Sequence, residues 1–500
     1  MMNGRTSGIL LHPISLPGPY GVGDLGSSAR QFVDFLAAAG QGLWQVLPLG
    51  PTSYGDSPYQ AVSAFAGNPL MISPEFLAQE GWLTADDLKG PDFPPERIDY
   101  GAVIAWKQQL LARAHENFRH HASEAQHAEL DAFCRQHAAW LDDFCVFVAL
   151  KQQHPTSWTD WPAAIVSRER AALAKARHEH AEAIAVQEFI QYEFFRQWTA
   201  LRHYAHSRGV RLVGDVPIFV AHDSADVWAH PEWFHLDAGG KPTLVAGVPP
   251  DYFSAEGQLW GNPLYRWDVL ESEGHAFWVD RLRLLLSLVD WVRLDHFRGF
   301  AAYWEVPADH TTALHGHWAP GPGKSFFHTL GAALGHLPLI AEDLGTITPD
   351  VRKLRDEVGL PGMAVLQFAF AVDETGLGDS LYLPHKHQHN MVVYTGTHDN
   401  DTTVGWWQSV SPGDRHFLQR YLRTDGQAIH WDLIYAAMSS VANTVIVPLQ
   451  DVLGLGSEAC LNRPGRPEGN WTWRYQADAL KAEIAGQLRE VTWLYGRRPV

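Results

Sequence analysis

Cysteine is scarce in this chain of 500 residues: Cys134, Cys145 and Cys460 are too few and too scattered for a disulfide framework or a four-thiolate zinc site. Long apolar runs are missing too. A membrane-crossing helix needs roughly 18–20 apolar residues, and the richest stretch, L-R-L-L-L-S-L-V-D-W-V-R-L, is broken by Arg283, Asp290 and Arg293. The N-terminus offers only a short apolar run before His12 and Pro13, where a secretory core needs roughly 7–15 residues, so a soluble, cytoplasmic protein is expected. Positive charge is in deficit: the net charge of −18 repels nucleic acid and anionic membrane, and neither is expected as a partner. No G-x-G-x-x-G follows an apolar run, which argues against a dinucleotide fold. No G-x-S-x-G elbow is present, and with 27 histidines none marks a triad by itself. No repeat of solenoid period and no low-complexity tract occurs.

What remains is globular, with 46% hydrophobic and 19% charged residues, and its pattern is strand–helix alternation. Eight short runs rich in apolar or β-branched residues read as strands: Gly8–His12, Leu43–Leu49, Arg211–Phe219, Trp291–Phe297, Leu337–Asp343, Met363–Phe370, Met391–Thr397 and Thr444–Leu449. Amphipathic helical patterns accompany them at 29–39, 187–206, 275–288 and 348–358, the last opened by Thr348 and Pro349. Near-continuous apolar strands indicate a parallel sheet buried on both faces, and eight of them favour an α/β fold of the (β/α)8 TIM-barrel type.

The spacing is uneven. Residues of about 51–207 form an insertion between strands two and three, mainly helical from 101, and about 220–275 form a Pro-, Gly- and aromatic-rich loop region before strand four. Long loops of that kind usually bind or cover something. A Gly-rich stretch at 454–470 reads as a lid, followed by a terminal helix over about 476–490. That leaves no room for a C-terminal β-sandwich, so 1–500 reads as one catalytic barrel with its inserted subdomains on the C-terminal face.

Three of the strands end in acidic company: V-R-L-D-H-F-R-G at 292–299, I-A-E-D-L-G at 340–345 and Y-T-G-T-H-D-N at 394–400. The C-terminal ends of barrel strands are where such folds keep their chemistry, and paired carboxylates are what glycosidic bond cleavage needs. Side chains alternate along a strand, so Arg293 and Asp295 share a face, and the arginine is expected to hold Asp295 ionised. Glu342 follows an apolar run that should raise its pKa, as a general acid requires, while its neighbour Asp343 suits helix capping or a salt bridge in the wall. His398 and Asp399 can hold sugar hydroxyls. They make a poor metal site, because no second histidine lies two or four residues away. Of the 21 tryptophans, most read as core; Trp260, in G-Q-L-W-G-N-P, is placed to offer a flat face to a sugar.

These segments resemble, from end to end, the 4-alpha-glucanotransferases of glycoside hydrolase family 77, a branch of the α-amylase clan. The resemblance rests on G-I-L-L-H-P-I-S-L-P-G-P-Y-G-V-G-D-L-G at 8–26, S-P-Y-Q-A-V-S-A-F-A-G-N-P at 57–69 and P-P-D-Y-F-S-A-E-G-Q-L-W-G-N-P at 249–263. It rests also on G-D-V-P-I-F-V and the three acidic segments, which resemble the four clan segments in order. It implies a barrel enzyme that moves a segment of 1,4-α-glucan to the 4-hydroxyl of glucose or another glucan by a retaining double displacement, on maltooligosaccharides and α-1,4-glucans, with no cofactor and no metal. It assigns Asp295 as nucleophile, Glu342 as general acid/base and Asp399 as the third carboxylate. Arg293, His398 and Asp215 would support the sugar being cleaved and Tyr59 would stack on it. Asp251, Trp260 and the lid residue Asn462 would complete the substrate-binding set. The lid departs from the pattern in carrying Arg463 and Arg466, which bears on acceptor preference. A hydrolase or branching enzyme of the same clan, a metal-dependent barrel hydrolase and a non-catalytic glucan-binding protein are the rival readings. The oligomeric state is left open.

Overall fold

A computed structural model describes residues 4–498 apart from 251–255, 346, 374, 375, 377 and 467. In chain order the described residues form strands β1 (Thr6–Leu10), β2 (Leu43–Gln45), β3 (Arg211–Val216), β4 (Leu244–Val248), β5 (Gln258–Pro263), β6 (Trp291–Leu294), β7 (Ala302–Pro307), β8 (His317–Pro320), β9 (Leu339–Ala341), β10 (Gly362–Val365), β11 (Met391–Tyr394) and β12 (Thr444–Pro448). Eight of these build one parallel sheet in the order β10-β11-β12-β1-β2-β3-β6-β9. Its two edges meet: the Ala341 N–H donates to the Pro361 carbonyl at 2.9 Å, and the Met363 N–H donates to Asp343 Oδ1 at 2.7 Å. The sheet therefore curls into a nearly closed (β/α)8 barrel.

All eight barrel strands lie on the runs read from sequence, but most stop two to five residues earlier. The reason is physical. The residues beyond the last ladder pair, such as Leu11, Val46, Leu47 and Leu366, stay apolar and buried while the backbone leaves the strand for the loops that carry the site. The apolar content follows from burial on both faces: Ile9, Val213, Val292, Leu339, Ile340, Ala364, Val393 and Ile446 have no exposed surface. β1 and β2 approach so closely at Gly8 that a Cβ there would lie 2.4 Å from Leu43, which only glycine avoids.

Helices wrap the barrel at Ser27–Ala38, Ala181–Ser207, Ala276–Leu288 and Pro349–Glu357. Between β2 and β3 the long helices Tyr100–His121 and Glu124–Gln153 precede Ala181–Ser207. The second of them starts with a reciprocal capping box of Ser123 and Gln126. The Ala181–Ser207 helix joins this insertion to the barrel. Its fully buried Trp198 donates from Nε1 to the Leu288 carbonyl at 2.9 Å, which fixes it against the helix before β6. The terminal helix spans Ala482–Leu494, a few residues later than its sequence pattern suggested.

A second, antiparallel sheet, β5-β4-β7-β8, stands beside the barrel. Its β4 and β5 fall in the 220–275 segment expected as loop, and β7 and β8 in the connection after β6. Their sequences alternate exposure without a clean period and carry Gly261, Asn262 and Pro263 inside β5, so no strand signal stands out. No helix among the described residues is long and apolar enough to cross a membrane.

Candidate active site

The barrel ladder sets three carboxylate-bearing loops in steps around the mouth. The Asp295 N–H donates to the Val216 carbonyl at 2.9 Å, and the Glu342 N–H to the Leu294 carbonyl at 3.0 Å. Asp215 and Arg293 are register partners on β3 and β6. The buried Arg293 guanidinium uses Nη1 to reach both Asp215 oxygens, at 3.0 and 2.7 Å, and Asp295 Oδ1 at 2.9 Å. Tyr59 caps this pair, donating its hydroxyl to Asp215 Oδ2 at 2.8 Å. One cation thus holds two carboxylates, and Asp215 is fully engaged behind Asp295.

Glu342 is held by backbone donors. Its Oε2 accepts from the His296 N–H at 2.8 Å and its Oε1 from the Leu344 N–H at 2.9 Å. Asp343 turns the other way, into the wall, where Oδ1 closes the barrel seam with Met363 and Oδ2 accepts from Arg355 at 2.5 Å. The two side chains thus face opposite ways, with Asp343 in the wall salt bridge that its sequence position suggested. Asp399 sits between His398, whose Nε2 lies 3.2 Å from Oδ2, and Asn462, whose Nδ2 donates to Oδ1 at 2.6 Å.

Electrostatics separates the three. Burial pushes Asp295 up to about 6, against the downward pull of Arg293 and with Asp215 and Asp399 adding to the rise. The cation expected to hold Asp295 ionised is in place and pulls its carboxyl down, but desolvation outweighs that pull and leaves the group above the ordinary aspartate range. Burial raises Glu342 to about 7, with Arg293 opposing and the negative charge of Asp295 reinforcing the shift. Asp399 keeps 42% of its side chain exposed, and its desolvation within the mouth is overcome by His398, Asn462 and Arg293, so the carboxyl falls to about 2.

Tyr59 lies parallel to His398 with centroids 5.2 Å apart, so one face and the hydroxyl are already committed within the site. Trp260 is half-buried on β5 rather than in an irregular loop, with its edge against the His296 ring at 4.8 Å. Asp251 lies outside the described residues. The 454–470 segment, expected as a lid, is joined to the β11 loop by Asn462 on Asp399 and by Ser457, whose Oγ donates to Asp401 Oδ2 at 2.6 Å. Arg463 turns back on the lid, its Nη2 donating to the Ser457 carbonyl, while Arg466 is exposed.

Two participants were not picked out from sequence. Trp471 is almost fully buried, adopts φ +61°, and packs at 6.0 Å from Tyr59 and 5.9 Å from His398. A non-glycine residue in that region of backbone space is held by its surroundings; its place just after the Gly-rich lid, in G-N-W-T-W, was the available signal. His296 is also left-handed, at φ +52°, and it is this turn that aims its N–H at Glu342. Among the described residues no group of three or more His, Cys, Asp or Glu is disposed to hold a metal ion.

Residues 11–480 match the family described as 4-alpha-glucanotransferase. The chain belongs to that family. It is 52% identical over 494 residues to the 4-alpha-glucanotransferase of Thermus thermophilus, covering 97% of each chain. To that of Synechocystis sp. it is 50% identical over 504 residues, covering 100% of this chain and 99% of the relative. The structure of amylomaltase from Streptococcus agalactiae in complex with acarbose superposes with a TM-score of 0.95 at 38% identity, over 99% of this chain and 100% of that one. Membership of the 4-alpha-glucanotransferase family makes the chain an enzyme, a glycosyltransferase with 4-alpha-glucanotransferase activity.

Proposed function

We propose that the protein disproportionates maltodextrins and α-1,4-glucan segments of starch or glycogen type in the cytoplasm, by a retaining double displacement in which Asp295, Glu342 and Asp399 have separate roles. The observation that carries this reading is the convergence of three carboxylates at the mouth in three different settings: Asp295 on Arg293, Glu342 on two backbone N–H groups, and Asp399 between His398 and Asn462. Asp295 attacks the anomeric carbon of the donor glucan. Glu342 gives its proton to the departing glycosidic oxygen, and a glycosyl ester of Asp295 forms. Asp399, ionised throughout, grips hydroxyls of the distorted ring and favours positive charge at the anomeric centre. A retaining geometry requires about 5–5.5 Å between the two reacting carboxyl groups.

The second half follows from the first. Part of the elevation of Glu342 comes from the charge of Asp295. Esterification removes that charge, so the proton that Glu342 has just lost is not drawn back by it, and Glu342 is left as a base. It takes the proton from the 4-hydroxyl of an incoming glucan, that oxygen attacks the anomeric carbon, and Asp295 leaves as carboxylate with the α-linkage restored. Arg293 and Asp215 hold Asp295 in line. Tyr59, His398 and Trp471 shape the cleaved sugar's pocket. Trp260, Asp251 and Asn462 serve the acceptor side, where binding energy from a glucan competes against water.

Incubation with maltotriose alone tests this. The expected products are glucose and a ladder of longer maltooligosaccharides, with no net gain of reducing ends, and none of them in Asp295→Asn. A gain of reducing ends comparable to the number of cleavage events would sink the transfer reading in favour of hydrolysis, and a ladder surviving in Asp295→Asn would remove Asp295 as nucleophile.

A further inference from the structure

Of the antiparallel sheet beside the mouth only Trp260 on β5 enters the chemistry above, yet β8 presents a second aromatic ring in a held position. Among the described residues two tryptophans stay well exposed, Trp318 at 39% and Trp493 at 52%. Trp493 lies on the terminal helix. Trp318 lies on β8, against the turn that Asp295 opens.

That turn begins at left-handed His296 and runs as one 3-10 turn over Phe297–Phe300. Arg298, within it, sets its guanidinium 3.8 Å over the Trp318 ring, a stacked cation–π contact that suits the planar fork of arginine. The end of β8 is docked on the same turn. The Gly321 N–H donates to the Ala301 carbonyl at 2.8 Å, and a Cβ on Gly321 would fall 2.5 Å from the carbonyl oxygens of Gly299 and Phe300, so only glycine permits the approach. From the neighbouring strand Trp304, the register partner of Trp318, packs edge-on at 5.2 Å. Trp304 is itself pinned, its Nε1 donating to the Ala313 carbonyl at 2.9 Å. Two aromatic side chains therefore bracket the turn that follows the nucleophile: Trp260 against His296, and Trp318 against Arg298.

A surface tryptophan is ordinarily mobile. This one has a guanidinium 3.8 Å over its ring and an indole packed against it at 5.2 Å, and still keeps 39% of its surface exposed. A rigid, partly wet aromatic plane suits a ligand that is apolar on its faces and hydroxylated at its rim, which describes a glucose ring. It suits a neutral ligand over an anionic one in a chain of net charge −18. We infer that Trp318, its ring oriented by Arg298 and Trp304, is a distal acceptor subsite that stacks a glucose unit of the incoming glucan beyond the unit whose 4-hydroxyl reacts. The inference rests on the proposed transfer to a glucan acceptor and extends it to acceptor length.

The test uses a maltooligosaccharide donor blocked at its non-reducing 4-hydroxyl, so that it cannot serve as acceptor, with glucose or maltotetraose supplied as acceptor. Trp318→Ala is expected to raise KM for maltotetraose roughly five- to tenfold more than KM for glucose, the scale of one lost aromatic contact. Trp318→Phe should recover most of that difference. Equal effects on both acceptors, or none on either, overturn the subsite, and so does Trp318→Phe behaving like Trp318→Ala. Failure of the wild-type enzyme to transfer to either acceptor would instead strike the proposed function, so the two failures read differently.

Discussion

Glu342 and Asp343 are consecutive in the chain, stand at the end of the same strand, and are both raised by burial; one opens into the mouth and the other into the barrel wall. In the wall both Asp343 oxygens are matched, by the Met363 N–H and by Arg355, and the result is a seam between β9 and β10. In the mouth the partners of Glu342 among the described residues are two backbone N–H groups, and the pull of Arg293 is outweighed by burial. The same environment that makes a structural carboxylate expensive leaves Glu342 near the pH at which its proposed role requires it to give and take a proton. Burial, on this comparison, is spent on cohesion in the wall and on protonation state in the mouth.

The largest way to break that comparison is Glu342→Gln. The amide keeps the shape and loses the proton, and the expectation is a fall of about a thousandfold in kcat with a natural leaving group. The pH profile of the wild type supplies the sign. Asp295, near 6, must be ionised, so kcat/KM should fall as pH drops through that value; Glu342, near 7, must be protonated, so it should fall again as pH rises through that value. In Glu342→Gln the alkaline limb should vanish from the residual activity while the acid limb stays. An alkaline limb unchanged in the variant would show that another group carries the proton.

Asp343→Asn sharpens the other side. It removes the charge that faces Arg355 and weakens the seam, so unfolding by urea should show a loss of about 1–3 kcal/mol, with kcat changed far less than in Glu342→Gln. A variant of wild-type stability but crippled turnover would move Asp343 out of the wall and into the mechanism.

How much of this was readable from residues alone divides along the same line. The barrel strands were, because burial on both faces writes continuous apolar runs such as L-P-L-I-A and M-V-V-Y. The four-stranded sheet was not. Its β4 pairs with β7 some sixty residues away, its strands are partly wet, and β5 holds Gly, Asn and Pro within six residues. In the site the acidic residues were readable by type and place, and the opposite facing of Glu342 and Asp343 followed from strand alternation. Their protonation was not. Arg293 beside Asp295 pointed to an ionised carboxylate, but the upward push of desolvation, which depends on everything packed around the group, is not written in the local sequence. Trp471 and His296 were missed because a positive φ at a non-glycine residue is imposed by the folded neighbourhood and leaves no mark in the local sequence.

Asn462 offers the finest test, since it joins a lid residue to a carboxylate that sits on the wet side of the comparison. Its amide donates to Asp399 at 2.6 Å, and a hydrogen bond to a charged group can be worth about 1.5–3 kcal/mol. Yet 42% of the Asp399 side chain is exposed, so water can replace the lost donor and the smaller end of that range applies. His398 and Arg293 also remain to hold the carboxyl down. Asn462→Ala is therefore expected to cost about tenfold in kcat/KM, with Asp399 still ionised across the working range and no new acid limb above pH 5. A hundredfold loss, or an acid limb that moves up into the range of Asp295, would mean that the lid excludes water from Asp399 more completely than its exposure indicates, and that Asp399 belongs with the buried carboxylates after all.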